Sequence, residues 1–180
     1  EVQLDEQYAL IISSNAGLWA YNIGDTIKFV SLKPYRIVVT GRIKHFISAF
    51  GEHVIGEEVE SAMLEANIDK ISVTEFTVAP YVGKGNEGSY HEWLVEFDRL
   101  PDDAVLSALS DRLNTAMVNK NVYYKDLIDG NILKPLVITP IKKNGFVDYL
   151  RSIGKLGGQN KVPRLSNDRV LADALLAYKV

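Results

Sequence analysis

The sequence predicts an α+β fold in two parts: a short β-meander, then a small domain of about three strands with helices over one face. Three observations carry this. Four short runs of β formers punctuated by turn residues open the chain; a charged, glycine-interrupted stretch from Gly41 to Glu60 converts strand into helix; and strand-like runs then mix with amphipathic helical ones to the end.

Residues 8–14, 18–22, 26–31 and 35–40 read as strands, separated by Asn15-Ala16-Gly17, Ile23-Gly24-Asp25 and Lys33-Pro34. Val38, Val39 and Thr40 end a β-branched run and Gly41 breaks it. Arg42, Lys44 and His45 occupy the break before Phe46 and Ile47 resume an apolar pattern, and Gly51 permits a second turn. A helix follows over about 55–67, with Val59, Ala62, Met63 and Ala66 on one face and Glu57, Glu58 and Glu60 near its positive end. Ile71–Ala79 and Tyr90–Phe97 are strands. Asp102 and Asp103 cap a helix whose apolar face holds Val105, Ala108, Leu109, Leu113, Ala116 and Met117. Val122–Ile128 is a short helix, Leu133–Ile138 a strand and Phe146–Ile153 a helix. A glycine-rich loop from Gly154 to Arg164 precedes a last helix over about 168–177.

With 180 residues, 47% of them hydrophobic, the chain can bury a core. Its 20 basic and 23 acidic residues give a net charge of -3, which supplies no electrostatic reason for nucleic acid or an anionic membrane as partner. The absence of Cys removes disulfides, thiolate nucleophiles and zinc-thiolate sites, and fits a reducing, cytoplasmic compartment. No apolar run approaches the ~18 residues that span a bilayer. The chain opens at Glu1 without an initiator Met, as if cut from something longer.

Gly83–Gly88, GKGNEG, matches the dinucleotide-binding glycine pattern by letter, but a strand follows it where a helix N-terminus is required, so it reads as a hairpin loop. His45, His53 and His91 lack metal-ligand spacing; His45 and His53 either line a polar pocket or sit in solvated loops. Glu57 and Glu58 read as a solvated helix start. No nucleophilic triad is present. Asp25, after a glycine turn, either caps its own backbone or accepts two hydrogen bonds from a diol. Lys161 follows two glycines in Gly157–Arg164, GGQNKVPR, which predicts a mobile loop. It is an ordinary surface residue, or it is carried to a phosphate whose developing charge it neutralises.

In order along the chain, YNIGD at 21–25, GRIKHFISAFGEHVIGEEVE at 41–60 and the late lysine of GGQNKVPR at 157–164 resemble the motifs of adenylate-forming enzymes: Y-x-x-G-D, then G-R-x-[DK] through E-[IV]-E, then a loop lysine. Within that superfamily, GNILKPLVITPIKKNGF followed by GGQNKVPR resembles the Gretchen Hagen auxin-responsive family of acyl-acid amido synthetases, and within it a bacterial-type member. The superfamily more often carries Asp where Lys44 stands.

The resemblance implies a ligase that uses ATP and Mg2+ to adenylate a small carboxylic acid and then transfers the acyl group to an amino acid amine. It implies that Asp25 takes the ribose hydroxyls, Arg42 stands beside the nucleotide, Lys44 is the hinge of a domain rotation and Lys161 is the catalytic lysine bridging the α-phosphate and the substrate carboxylate. It further implies that residues 1–41 are the last strands of a large adenylating domain, 42–46 the hinge and 47–180 the small mobile domain. The phosphate loop and acyl pocket would lie in a missing N-terminal domain, so these residues alone are not expected to adenylate. The alternatives are a ligase of the acyl-coenzyme A synthetase type and a non-catalytic α+β ligand-binding or interaction module.

Overall fold

The computed structural model describes residues 1–42, 46–84, 87–157 and 160–180. Strands β1 (Gln7–Ile12), β2 (Tyr21–Leu32) and β3 (Tyr35–Arg42) form an antiparallel meander. Where the sequence predicts two strands split by a turn at Ile23-Gly24-Asp25, β2 is one strand of 12 residues. A bulge explains the difference: Ala9 pairs with Thr26 but Ile11 pairs with Asn22, so β2 carries extra residues between the two pairs. Gly24 absorbs them at φ 84°, its N–H donating to Asn22 Oδ1 at 2.9 Å. A residue without Cβ takes that left-handed conformation without strain, so the glycine marks a kink inside a strand. Gly41 does not break β3 either; it pairs with Thr26, and the strand runs on to Arg42. Lys44 and His45 lie outside the described residues.

Phe46–Ile47 (β4) and Val54–Ile55 (β5) pair as a minimal hairpin, with Gly51 at φ 95° between them, which the sequence pattern does not announce. Helix α1 (Gly56–Ala66) follows at once and buries Val59, Ala62, Met63 and Ala66, the expected four. Glu58 Oε2 accepts from the Ile55 N–H at 2.9 Å at its start, and Arg112 Nε donates to the Ala66 carbonyl at its end at 2.8 Å.

The second sheet has the order β6 (Val73–Tyr81), β7 (Tyr90–Phe97), β8 (Val137–Ile141), with β6 antiparallel and β8 parallel to β7. Helices α2 (Asp103–Lys120) and α3 (Val122–Asp129) form the crossover that a parallel β7–β8 pair requires. Asp102 caps α2 by accepting from the Val105 N–H at 2.9 Å. β8 begins at Val137, later than the expected 133, because Pro135 has no N–H for a ladder and Leu133 and Leu136 are buried out of register. Helices cover both faces of this sheet, not one. Trp93, Val95 and Phe97 join the core built on α1, α2 and α3, whereas Leu94 packs with Phe146 of α4 (Gly145–Ser152) and with Ala172 and Leu175 of α5 (Val170–Leu175). Because successive strand residues face opposite ways, β7 is buried on both faces and has no solvated one.

Three ionisable side chains lie buried in that strand, at 1% (His91), 6% (Glu92) and 2% (Glu96) exposure, and each has a partner. His91 Nε2 and Glu52 Oε1 are 2.8 Å apart, and Glu52 also accepts from the Phe50 N–H at 2.8 Å. Glu92 accepts from Thr139 Oγ1 at 2.6 Å and from Arg169 at 2.7 Å. Glu96 accepts from the backbone N–H of Asn144 at 2.8 Å and of Phe146 at 3.2 Å. The tail then meets both edges of the sheet. The Val78 N–H donates to the Arg164 carbonyl and the Ser166 N–H to the Val78 carbonyl, both at 2.9 Å, along β6; beside β8 the Lys142 N–H donates to the Tyr178 carbonyl at 2.8 Å. Among the described residues no helix is long and apolar enough to cross a membrane.

Burial would raise the Glu52 carboxyl, but the hydrogen bonds from His91 and the backbone outweigh it and hold the group below its ordinary value of 4.5. The ionised form therefore contributes stability above that value and loses it as pH falls through the lower folded-state value. Glu52→Ala is expected to cost about 3–5 kcal/mol near neutral pH, because it strands His91. The variant should also lose less further stability than the unmodified protein on acidification from about pH 5 to about pH 3. Urea unfolding across that range checks both, and parallel acid slopes for the two proteins would refute the Glu52 assignment.

Candidate functional site

The bulged register of the meander sets Asp25 opposite Arg42, and Arg42 Nε lies 3.1 Å from Asp25 Oδ1. Asp25 thus sits within β2 beside a bulge, where the sequence places it after a turn. Arg42, at the end of β3, is exposed. Beyond the hairpin, the first turn of α1 returns to the meander: Lys28 Nζ on β2 donates to Glu57 Oε1 at 2.9 Å. That bond holds the Lys28 ammonium above its usual range against the opposing effect of partial burial.

One helical turn on, Glu60 Oε1 accepts from Arg164 Nε at 2.9 Å. Arg164 also pairs with Glu75 on β6, donates to the Phe76 carbonyl at 3.3 Å and lies 4.7 Å above the Phe76 ring. Just before it, the Pro163 carbonyl accepts from Thr77 Oγ1 at 2.8 Å. The chain from 163 to 166 is therefore laid along the edge of β6, and Lys161 stands two residues ahead of it, exposed.

These three segments enclose an open cleft of about 420 Å³, walled by Thr40 to Arg42, by Gly56, Glu57 and Glu60, and by Lys161 to Arg164. Two of the sequence-predicted residues, Arg42 and Lys161, share it. Asp25 adjoins it through Arg42. The predicted hinge Lys44 lies outside the described residues, as do Gly158 and Gln159 of the glycine loop. The ion pairs around the cleft engage Lys28, Arg42 and Arg164 and, among the described residues, do not include Lys161. Its ammonium is thus available for an anion.

Sequence reasoning missed Lys28, Glu60 and Arg164, because each acts through a partner far along the chain. It also misread Glu57 and Glu58 as a solvated pair. Glu57 holds Lys28, and Glu58 is half-buried against the Asn121 amide at 3.1 Å; burial raises the Glu58 carboxyl, with the Ile55 N–H and Asn121 opposing. His53 is exposed at φ 44° with its ring 5.0 Å from that of Phe46, and lies outside the cleft; His45 lies outside the described residues. GKGNEG connects antiparallel β6 and β7. A Cβ on Gly83 would stand 2.3 Å from the Glu87 carbonyl oxygen, so this glycine serves close backbone approach. Gly85 and Asn86 lie outside the described residues. Among the described residues no group of three or more His, Asp or Glu side chains is placed to hold a metal ion.

Residues 57–170 match the GH3 family C-terminal domain and residues 1–42 the GH3 family central domain. The chain is 26% identical over 183 aligned positions to a jasmonoyl--L-amino acid synthetase, GH3.5, of Oryza sativa subsp. japonica, covering 95% of this chain and 31% of that one. Among solved structures it is similar to a GH3.15 acyl acid amido synthetase, with a TM-score of 0.78 at 17% identity over 100% of this chain and 35% of the other. It is also similar to AtGH3.15 acyl acid amido synthetase in complex with 2,4-DB, with a TM-score of 0.75 at 16% identity over 99% and 34%. At such identities the structural likeness establishes the fold. The chain spans about a third of the length of these relatives.

Exposed and outside the ion pairs, Lys161 should be dispensable to folding: Lys161→Ala is expected to change stability by no more than ~0.5 kcal/mol. Arg164→Ala, which frees Glu60 and Glu75 and uncovers Phe76, is expected to cost about 1–3 kcal/mol. Urea unfolding of the two variants side by side checks the contrast, and a Lys161→Ala cost equal to that of Arg164→Ala would contradict it.

Proposed function

The chain belongs to the GH3 family, and from that premise we propose that it is the C-terminal part of an ATP-dependent acyl-acid amido synthetase. The observation that carries the proposal is the cleft of about 420 Å³ at the junction of meander and small domain, which Arg42, braced by Asp25, and Lys161 both line. The names of the relatives supply the reaction class.

In the first step a carboxylate oxygen attacks the α-phosphorus of ATP and the bond to pyrophosphate breaks. Lys161 bridges the α-phosphate and the attacking carboxylate and offsets the charge that builds there, while Asp25 takes the ribose hydroxyls and Arg42 lies beside the nucleotide. In the second step an amino acid amine attacks the acyl carbon, AMP leaves and an amide forms. Mg2+ would accompany the triphosphate; among the described residues no group of three or more His, Asp or Glu side chains is placed to hold it.

We further propose that 1–41 belong to the large adenylating domain, that 42–46 with Lys44 form the hinge, and that 47–180 rotate between the two steps. Support comes from the meander, whose Trp19, Tyr35 and Val39 stand 88%, 70% and 64% exposed, large apolar side chains that another domain would cover. The Lys28–Glu57 pair crosses between the two proposed parts, and a partly solvated ion pair worth about 1 kcal/mol can hold one orientation without locking it.

The intact enzyme should exchange pyrophosphate into ATP only when a suitable carboxylic acid is present. Lys161→Ala should slow that exchange by roughly 10²–10³-fold while affecting attack on preformed acyl adenylate far less. Asp25→Ala should chiefly raise the KM for ATP. Exchange that fails with every acid tried, or equal slowing of both steps by Lys161→Ala, would overturn the assignment. Comparison of amino acids with coenzyme A as acceptor separates amide from thioester formation.

A further inference from the structure

The lysine assigned to adenylation stands on an exposed loop, yet the backbone that follows it is bonded to the edge of β6 at Pro163, Arg164 and Ser166. Arg164 does the holding. Its guanidinium reaches Glu60 on α1, Glu75 and the Phe76 carbonyl on β6, and lies over the Phe76 ring, 4.7 Å from its centre. The Arg164 carbonyl is itself bonded to Val78 of the same strand. Three consecutive Cα–Cα steps separate Lys161 from this anchor, at most about 11 Å of chain, and Pro163 fixes one backbone angle within them. On the other side, Asn160 Nδ2 donates to the Gly157 carbonyl at 3.3 Å.

We propose that Arg164 is a positioning residue for adenylation, setting the place from which Lys161 enters the cleft. The inference rests on the Lys161 role proposed above. Arginine suits the task because its planar fork serves two carboxylates and a carbonyl while stacking on an aromatic ring, which a lysine ammonium cannot do at once. Glu60 matters for the same reason: it is a wall of the cleft and the only one of the two carboxylate partners carried on α1, so it ties the lysine loop to the helix that meets the meander through Glu57. A displacement of about 1 Å in a catalytic group can cost about a hundredfold in rate. The fold can tolerate a looser Arg164; the chemistry at Lys161 cannot.

The test uses the intact enzyme and measures the two half-reactions separately: acid-dependent ATP–pyrophosphate exchange, and attack of the amino acid on separately prepared acyl adenylate. Arg164→Met, which keeps much of the apolar stem, should lower kcat for exchange by about ten- to a hundredfold with little change in KM for ATP. Attack on the adenylate should change less than about twofold, and Arg164→Lys should restore only part of the exchange rate. In a Lys161→Ala background Arg164→Met should have almost no further effect on exchange, since a positioning residue acts through the group it positions. Equal losses in both half-reactions, or independent multiplicative losses in the double variant, would overturn the inference. Should Arg164→Met fail to fold, Glu60→Ala removes only the α1 arm; it should slow exchange by about threefold and leave adenylate attack intact, and unaltered exchange would count against the inference. If Lys161→Ala alone leaves exchange intact, the adenylation reading itself fails, which is a different result from Arg164 proving neutral beside an essential Lys161.

Discussion

The small domain is organised by the cost of burying β7 on both faces. A strand so enclosed can hold ionisable groups only where each meets a partner, since an uncompensated charge or orphaned hydrogen-bonding group costs several kcal/mol. His91, Glu92 and Glu96 are such groups, and their partners arrive from three directions: Glu52 from the β4–β5 hairpin, Arg169 from the approach to α5, and two backbone N–H groups from the start of α4. Satisfying one strand therefore fixes where three otherwise independent segments sit. The hairpin between the meander and α1 is the one with functional weight, because its position determines where α1 begins and hence where Glu57 and Glu60 face the cleft.

The cleft that results is nearly balanced in charge. Lys28 faces Glu57, Arg42 faces Asp25, and Arg164 faces Glu60 and Glu75. Paired groups hold geometry, whereas an unpaired one is available to a ligand. At Coulombic strengths appropriate to a partly screened site, one ammonium a few ångströms from a phosphate is worth a few kcal/mol, and among the described residues Lys161 is the cleft cation outside these pairs. Shape and selectivity are divided between different side chains.

Much of this was legible in the sequence where the signal is local. The apolar faces of α1 and α2, the Asp102 cap and the limits of β7 follow from periodicity and from residues within one turn of each other. The meander was legible in its strands and not in its kink: Gly24 has the same letters in a turn as in a bulge, and only pairing with Ala9 and Ile11 tells them apart. In the site, Asp25, Arg42 and Lys161 stood out because they lie within recognisable motifs. Arg164 and Glu60 end two of the same motifs, but their role is not legible there, since their bond joins residues 104 positions apart and no local pattern encodes the meeting. The second helical layer was missed for the same reason, as nothing in α4 or α5 states which face of the sheet it will cover.

The segment that touches both margins of the sheet has a consequence for aggregation. Leu165 bridges to β6 and Lys179 to β8, so backbone from either side of α5 occupies part of the two outer strands' edges, which would otherwise offer bare N–H and C=O groups to a neighbouring molecule. Local opening of that segment would leave the sheet free to recruit strands from other chains while its buried core is still intact.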